Sequence, residues 1–310
     1  MPSVYIILIN WNNAADTCQC LESLSHVTYS NFKILVVDNA STDSSLHEIR
    51  KWLSARSFQK NVEILPLAEN RGFTGGNNAG IEHALKQGAD YVLILNNDTF
   101  QPPDFLDKLV TTAGTQKNLG ILGCTIFHHP ETQKVWCSGG SVDFFLGYGR
   151  RWTQNTSGLV KTDFVCGCLM LIPAEVLRKV GVFNEIFFFI SEDSELSWRI
   201  RQAGYDLFID RGAHIFHKIS SSAGGFDSPT IQYYFHRNRM LFMKMILNPV
   251  QRIFFYLLQF LLIIPGWIVC ELIRGKPRNV GWACAGYRDF LSGVTGKAPN
   301  LNKNSHGKSS

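Results

Sequence analysis

The chain has 310 residues, 45% hydrophobic and 18% charged, which excludes global disorder and predicts a packed core in one large α/β domain or two smaller ones. The formal net charge of +5 is uneven: residues 236–310 hold eleven Lys/Arg and two Asp/Glu, a net of +9, against −4 for residues 1–235. The basic part also contains the apolar run FFYLLQFLLIIPGWIVCELI at 254–273, which fits an anionic membrane surface and not nucleic acid.

The opening MPSVYIILINWNN has no basic n-region and no cleavage pattern, so no signal peptide is expected. Eight cysteines are scattered without a C-x-x-C pair, which predicts reduced, mostly buried thiols and neither a zinc knuckle nor a disulfide scaffold.

VYIILI (4–9) reads as a strand, followed by an amphipathic segment from Ala14 to about Ser25. KILVVD (33–38) is a second strand, followed by a helix from about Ser44 to Ala55. VEILPL (62–67) is a third, with a Gly/Asn-rich loop and a helix through Leu85 behind it. YVLIL (91–95) is the fourth. This rhythm, with continuously apolar strands, predicts a parallel sheet covered by helices on both faces. Such sheets bind ligands at the carboxyl ends of their strands.

Polar residues collect at those ends. Strand 1 ends in Asn10-Trp11-Asn12, strand 2 in Asp38-Asn39, and strand 4 in Asn96-Asn97-Asp98. The loop after strand 3 carries Arg71, Gly75 and Asn78. Any one cluster could be turn or N-cap chemistry, but their recurrence at successive strand ends predicts one polar crevice.

From 120 to 172 the pattern is mixed strands and loops, with FVCGCLMLIP (164–173) an apolar strand containing a small-residue patch at Cys166-Gly167-Cys168. Pro173–Val180 reads as a short helix, and Asp193–Ala203 as another, with Ser191 as N-cap and Gly204 as C-cap. The G-x-G-x-x-G of a dehydrogenase and the G-x-x-x-x-G-K-[ST] of a P-loop are both absent.

VVDNASTDSS (36–45), ENRGFTGGNNAG (69–80), LILNNDT (93–99), GCLMLIPAEVLRKVGVFNEIFFFISEDSELSWRIRQAGY (167–205) and AHIFHKISSS (213–222) together resemble family 2 glycosyltransferases, in their bacterial rhamnosyltransferase-like branch. The match runs in order over about residues 4–240 and continues weakly through RDFLSGVTG (288–296). The resemblance implies a GT-A nucleotide-diphospho-sugar transferase fold with a mostly parallel central sheet. It also implies a divalent cation (Mg²⁺ or Mn²⁺) and an inverting mechanism.

Carried over residue by residue, the resemblance puts a metal ligand at Asp98, the last acid of the family's D-x-D pattern. Asn96 stands where that pattern often has Asp, so it can hydrogen-bond a ribose hydroxyl but adds no charge. His217 is the expected second ligand, with His214 the alternative. Glu192-Asp193 supplies the base, with the role on Asp193 and Glu192 as its neighbour. Adjacent helical residues point about 100° apart, so one of them takes the acceptor proton. The plain alternative is two carboxylates complementing a helix N-terminus.

Asp38 is expected on the pyrimidine N3–H, or otherwise as an N-cap for the next helix. Asn10, Asn12, Arg71, Gly75, Asn78, Asn96 and Asn97 are expected to hold the nucleotide sugar. The donor implied is dTDP-L-rhamnose, with a UDP-hexose or UDP-N-acetylhexosamine as the alternative. The acceptor is a glycan or a polyprenyl-diphosphate-linked sugar. A catalytically silent nucleotide-sugar-binding membrane scaffold is the reading from another class, and the Asp98, Asp193 and His217 set argues against it. A sugar nucleotidyltransferase would need a Gly-rich basic loop after strand 1, where Asn10-Trp11-Asn12-Asn13 stands.

Residues 1–235 are expected to form the catalytic domain, 236–297 a helical membrane-associated region, and 298–310 a disordered tail. In the run 254–273, Gln259, Pro265-Gly266 and Glu271 oppose a simple span, and basic residues flank both ends. An interfacial or re-entrant helix at the cytoplasmic face of the cell membrane is favoured over a single span. A helix buried against the catalytic domain is the plain alternative.

Overall fold

The computed structural model describes residues 1–218, 225–299 and 301. Serines 220–222 of the AHIFHKISSS motif, and all of the expected tail except residues 298, 299 and 301, lie outside the described residues. The chain forms two compact units. The first takes residues 1–141, 150–184 and 192–218; the second takes 142–149, 185–191 and 225 onward.

The first unit opens with β1 (Val4–Asn10), α1 (Ala14–Leu24), β2 (Phe32–Asp38), α2 (Ser45–Ser54), β3 (Val62–Pro66), α3 (Gly72–Lys86) and β4 (Tyr91–Leu95). It continues with β5 (Thr99–Phe100), α4 (Phe105–Thr115), β6 (Leu119–His128) and β7 (Val135–Cys137). A hairpin, β8 (Gly140–Asp143) and β9 (Tyr148–Arg151), whose residues 142–149 belong to the second unit, precedes β10 (Leu159–Lys161), β11 (Leu169–Pro173), α5 (Ala174–Val180), α6 (Glu192–Gln202) and β12 (Asp206–His217).

The main sheet runs β10-β12-β6-β11-β4-β1-β2-β3. β3, β2, β1 and β4 are mutually parallel, as the helix-separated apolar strands require, and β11 enters antiparallel between β4 and β6. Strand order reverses on either side of β1, which puts the carboxyl ends of β1 and β4 at the switch point where sheets of this kind bind ligands.

Successive strand residues point to opposite faces, and both faces are filled. Val4, Ile6 and Leu8 pack with Leu21 and Leu24 of α1 and Leu109 of α4, whereas Tyr5 and Ile7 pack with Ile81 of α3 and Ile200 of α6.

Three local expectations change. The loop after β3 is largely helix: α3 starts at Gly72, so Gly75 and Asn78 are helical. The glycines allow it, because a Cβ at Gly80 would lie 2.6 Å from Ile7 Cγ2 and one at Gly76 3.1 Å from Ile9 Cδ1. Close packing on β1 outweighs their poor helix propensity. The strand expected at 164–173 begins only at Leu169; Cys166 to Cys168 form a turn, closed by Leu169 N–H on the Cys166 carbonyl at 3.2 Å. The last helix of this unit begins one residue early, at Glu192.

The second unit contains α7 (Pro229–Ile246), α8 (Pro249–Leu258), a π-helical turn at Gln259–Ile263, α9 (Ile264–Ile273) and α10 (Pro277–Leu291). Gly286 is required by close approach: a Cβ there would sit 2.5 Å from the Tyr233 carbonyl, so α10 lies directly on α7. Asn238 is fully buried and donates to the carbonyls of Phe189 (2.7 Å) and Ile190 (2.8 Å), fixing a segment in which Ile190 and Ser191 have φ of 70° and 77°. All eight cysteines are free; Cys20, Cys124, Cys137, Cys166 and Cys168 are buried and Cys270 and Cys284 are exposed.

Candidate active site

The site is built where β1, β2, β4 and β12 end. Asp38, the last residue of β2, is buried; its Oδ1 accepts from Asn10 Nδ2 (2.8 Å) and Ser41 Oγ (2.6 Å), and its Oδ2 accepts from Ser41 N–H (3.1 Å). It is not the cap of α2: Asp43 Oδ1 accepts from Ser45 N–H at 2.9 Å instead. Asn10 is wholly buried; its Nδ2 also reaches Ser41 Oγ at 3.1 Å and its Oδ1 accepts from Thr17 Oγ1 at 2.8 Å. Its amide is therefore engaged inside the protein as a strut for Asp38. Asn12 is exposed and pairs with Thr42, accepting from its N–H at 2.7 Å.

Asn39, placed by the sequence in the strand-end cluster but given no role there, organises the next loop. Its Oδ1 accepts from Arg71 N–H (3.0 Å) and its Nδ2 donates to Asn70 Oδ1 (3.2 Å) and the Gly72 carbonyl (3.0 Å). Arg71 thus stands at the N-cap of α3. Asn78 does not. It is buried, its Nδ2 donates to the Phe183 carbonyl (2.9 Å), and its Oδ1 accepts from Phe183 N–H (3.0 Å). A helical register that presses Gly76 and Gly80 onto β1 turns Asn78 to the 181–184 segment, which corrects its expected place in a ligand loop.

The turn after β4 carries the acid. Asn97 Nδ2 donates to Thr17 Oγ1 at 2.8 Å, and Asn96 N–H donates to the Cys168 carbonyl at 3.0 Å. β5 then pairs with the end of β12, setting Thr99 opposite His217. That register brings His217 Nε2 to 2.9 Å from Asp98 Oδ1, with both side chains buried. Asn96 Nδ2 is 3.5 Å from the same imidazole nitrogen, and Trp136 lies edge-on to the ring at 4.7 Å. His214 instead packs against Phe127 and Phe216, and burial lowers its pKa. Lys218, which sequence reasoning passed over although it follows His217, donates to Asp16 Oδ1 (2.6 Å) and Gln19 Oε1 (2.7 Å), tying the end of β12 to α1.

Asp193 and Glu192 open α6. Asp193 Oδ2 accepts from Gly167 N–H (3.1 Å) and Oδ1 from Ser194 N–H (2.6 Å). Gly167 immediately precedes Cys168, whose carbonyl holds Asn96, so one turn connects the environments of Asp193 and Asp98. Burial raises the Asp193 pKa, opposed by those hydrogen bonds and by the charge of Arg151. Burial, then the charge of Asp193, pushes Glu192 up to about 8, so near pH 7 Glu192 is mostly neutral. Its Oε2 is buried without a hydrogen-bond partner.

Arg151, also missed from sequence, stacks over Trp136 at 4.3 Å. Nothing in its sequence context marks it, because the hairpin that delivers it has no motif.

Asp98 offers an oxygen and His217 a nitrogen, 2.9 Å apart and in contact with each other. Among the described residues no group of three or more His, Cys, Asp or Glu is placed to hold a metal. A two-ligand set fits Mg²⁺ or Mn²⁺, which keep several positions for water and phosphate.

The family model for glycosyl transferase family 2 matches residues 5–181, more than half of the chain. The chain belongs to glycosyltransferase family 2. This glycosyltransferase is 25% identical to the low-salt glycan biosynthesis hexosyltransferase Agl10 of Haloferax volcanii, over 97% of this chain and 95% of that relative. It is 22% identical to N-acetylglucosaminyl-diphospho-decaprenol L-rhamnosyltransferase of Mycobacterium tuberculosis, over 71% of this chain and 77% of that relative. Among solved structures it resembles the mannosyltransferase PcManGT from Pyrobaculum calidifontis in complex with GDP-Man and Mn²⁺, with a TM-score of 0.59 at 17% identity, covering 97% of this chain and 78% of the other. The GT-A fold that the family resemblance implied is the fold this glycosyltransferase has.

Proposed function

We propose that this glycosyltransferase moves L-rhamnose from dTDP-L-rhamnose, with inversion, onto a glycan or polyprenyl-diphosphate-linked acceptor at the cytoplasmic face of the cell membrane, in surface polysaccharide assembly. The observation that carries the catalytic reading is the buried Asp98–His217 pair at 2.9 Å, in an environment linked to Asp193 through the Cys166–Cys168 turn. The rhamnosyltransferase relative supports the donor assignment. A UDP-hexose donor is the second reading, favoured by the hexosyltransferase whose match spans nearly the whole chain.

Asp193 is the base. The acceptor hydroxyl attacks the anomeric carbon as its proton passes to the Asp193 carboxylate, and the bond to the diphosphate breaks with its electron pair leaving on oxygen. A raised pKa suits this role, because a base near the operating pH combines ionisation with proton affinity. Glu192 holds its own proton near neutrality and so adds no second negative charge beside the base. Asp38, aligned by Asn10 and Ser41, receives the pyrimidine. Asn12, Arg71, Asn96 and Asn97 border the nucleotide-sugar crevice, and Gly75 keeps the first turns of α3 slim beside it. A divalent cation held by Asp98 and His217 would neutralise the departing diphosphate. Arg151 adds a positive charge near Asp193.

Membrane association rests on the helix from Pro249 to Ile273, the one among the described residues long and apolar enough to cross a bilayer. Its buried stripe, Phe255, Gln259, Ile264 and Glu271, runs most of its length. Gln259 Nε2 donates to the Phe145 carbonyl and Glu271 accepts from Asn279 at 2.8 Å, so both polar residues that oppose a span turn toward the second unit, with Gln259 Oε1 buried there without a hydrogen-bond partner. A helix held along its length in this way supports an in-plane interfacial placement.

The donor is tested by thermal shift of the full chain with Mn²⁺ against a panel of nucleotide sugars. dTDP-L-rhamnose should give the largest stabilisation. A larger shift with a UDP-hexose selects the second reading, and no shift with any donor overturns both.

A further inference from the structure

Phe144 and Phe145 are exposed, at 51% and 74%, yet the turn that carries them is tightly held. Asp143 Oδ1 accepts from the N–H groups of Phe145 (3.0 Å) and Leu146 (2.9 Å), and the Asp143 carbonyl accepts from Gly147 N–H (2.7 Å). Gln259 Nε2 donates to the Phe145 carbonyl (2.6 Å), and Arg239 Nη1 to the Leu146 carbonyl (3.2 Å). Gly147 has φ of 80°, and a Cβ there would lie 2.8 Å from Phe255 Cζ, so the turn is seated on α8. Tethers on both carbonyls prevent the turn from folding its phenylalanines inward.

The backbone polar groups of residues 145–147 that these bonds engage are thus satisfied by the protein. In water they need no such partners; in hydrocarbon they must have them. The helix beneath the tip exposes Val250, Ile253, Phe254, Leu257, Leu261 and Leu262. Gln259 and Glu271 in its middle and last turns are buried, Gln251 and Arg252 lie in its first turn, and exposed Arg274, Lys276 and Arg278 follow its end. An apolar surface with the backbone of residues 145–147 engaged as above and a cationic border matches an anionic leaflet.

We propose that Phe144 and Phe145 insert into an anionic phospholipid bilayer as a second anchor beside the 249–273 helix. The inference rests on the membrane reading above but adds an element that reading does not contain. The hairpin tip is a rigid wedge, and the helix is the broad face that lies beside it in the headgroup region. Two anchors also explain why the hairpin is tied to the helix by a side chain as specific as Gln259.

The test is flotation of the full-length chain with vesicles of phosphatidylcholine alone or with phosphatidylglycerol. Wild type should partition onto the anionic vesicles, and Phe144→Ser/Phe145→Ser should bind about tenfold more weakly with an unchanged melting temperature. Phe144→Trp, which keeps the bulk, should show fluorescence quenching by brominated lipids. Wild type that floats with neither vesicle overturns the membrane reading and this inference together. Wild type and the double serine variant floating equally, or an unquenched indole at position 144 in vesicle-bound Phe144→Trp protein, overturns the wedge alone. A lipid-free dimer that the double serine variant converts to monomer, without loss of vesicle binding, assigns the tip to self-association and also overturns it.

Discussion

His217 Nε2 lies 2.9 Å from Asp98 Oδ1 because β5 and β12 pair with Thr99 opposite His217. If this pair holds the cation, wild type should gain melting temperature from Mn²⁺ together with a nucleoside diphosphate. Asp98→Ala and His217→Ala should each lose that gain, and a chelator should abolish transfer. Retention of the full Mn²⁺-dependent shift by both variants would show that the ion binds elsewhere. His214→Ala, which removes the aromatic contacts with Phe127 and Phe216, should keep it.

Asp193→Asn removes the base while leaving an acceptor for Gly167 N–H. Turnover should fall about 10²–10⁴-fold with donor affinity unchanged, read by product formation and isothermal titration. Because the Asp193 pKa is raised, the acidic limb of the wild-type rate profile should lie above the usual carboxylate range. Near-wild-type turnover in the asparagine variant would remove Asp193 from the mechanism.

Glu192 titrates near 8 when folded and near 4.5 when unfolded. Between these values the unfolded chain has released a proton that the native state still holds, so stability falls as pH rises through that window. Glu192→Gln should match wild type near pH 4 and exceed it by pH 9, by a difference on the order of 5 kcal/mol. Urea unfolding at the two pH values measures it; parallel pH dependence in the two proteins would contradict the assignment.

Asn78→Ala should cost about 1–3 kcal/mol, because Phe183 N–H and carbonyl both lose their partner in a buried setting. Donor affinity, measured in the folded variant, should not change. A large loss of donor affinity at unchanged stability would return Asn78 to the nucleotide site.

Gly80→Ala improves helix propensity yet should destabilise by about 1–3 kcal/mol, since the new methyl meets Ile7 Cγ2 at 2.6 Å. Ile7→Val in the same chain should recover part of that loss in thermal unfolding. Gly88→Ala, with open space around it but φ of 77°, isolates backbone strain from steric contact.

The sequence by itself determined the alternating strands and helices of residues 4–95, because continuous apolar runs separated by amphipathic segments are satisfied only by a sheet buried on both faces. It also determined that Asn10, Asp38 and Asp98 stand at strand ends, since local chain order places them there. What it could not determine was which of those groups face outward. Asn10 and Asn78 carry the same amide as Asn12, yet tertiary packing engages the first two inside the protein and leaves Asn12 at the surface. Only the pairing of β12 with β5 brought His217, and not His214, to Asp98, because a strand's two faces are decided by register and not by composition. Arg151, Asn39 and Lys218 became visible for the same reason: their contacts join residues distant in the chain or lie on elements without a motif. The tertiary structure also decided which side of the apolar run at 254–273 turns toward its own unit. Burial of Gln259 and Glu271 depends on partners, Phe145 and Asn279, that no local pattern names.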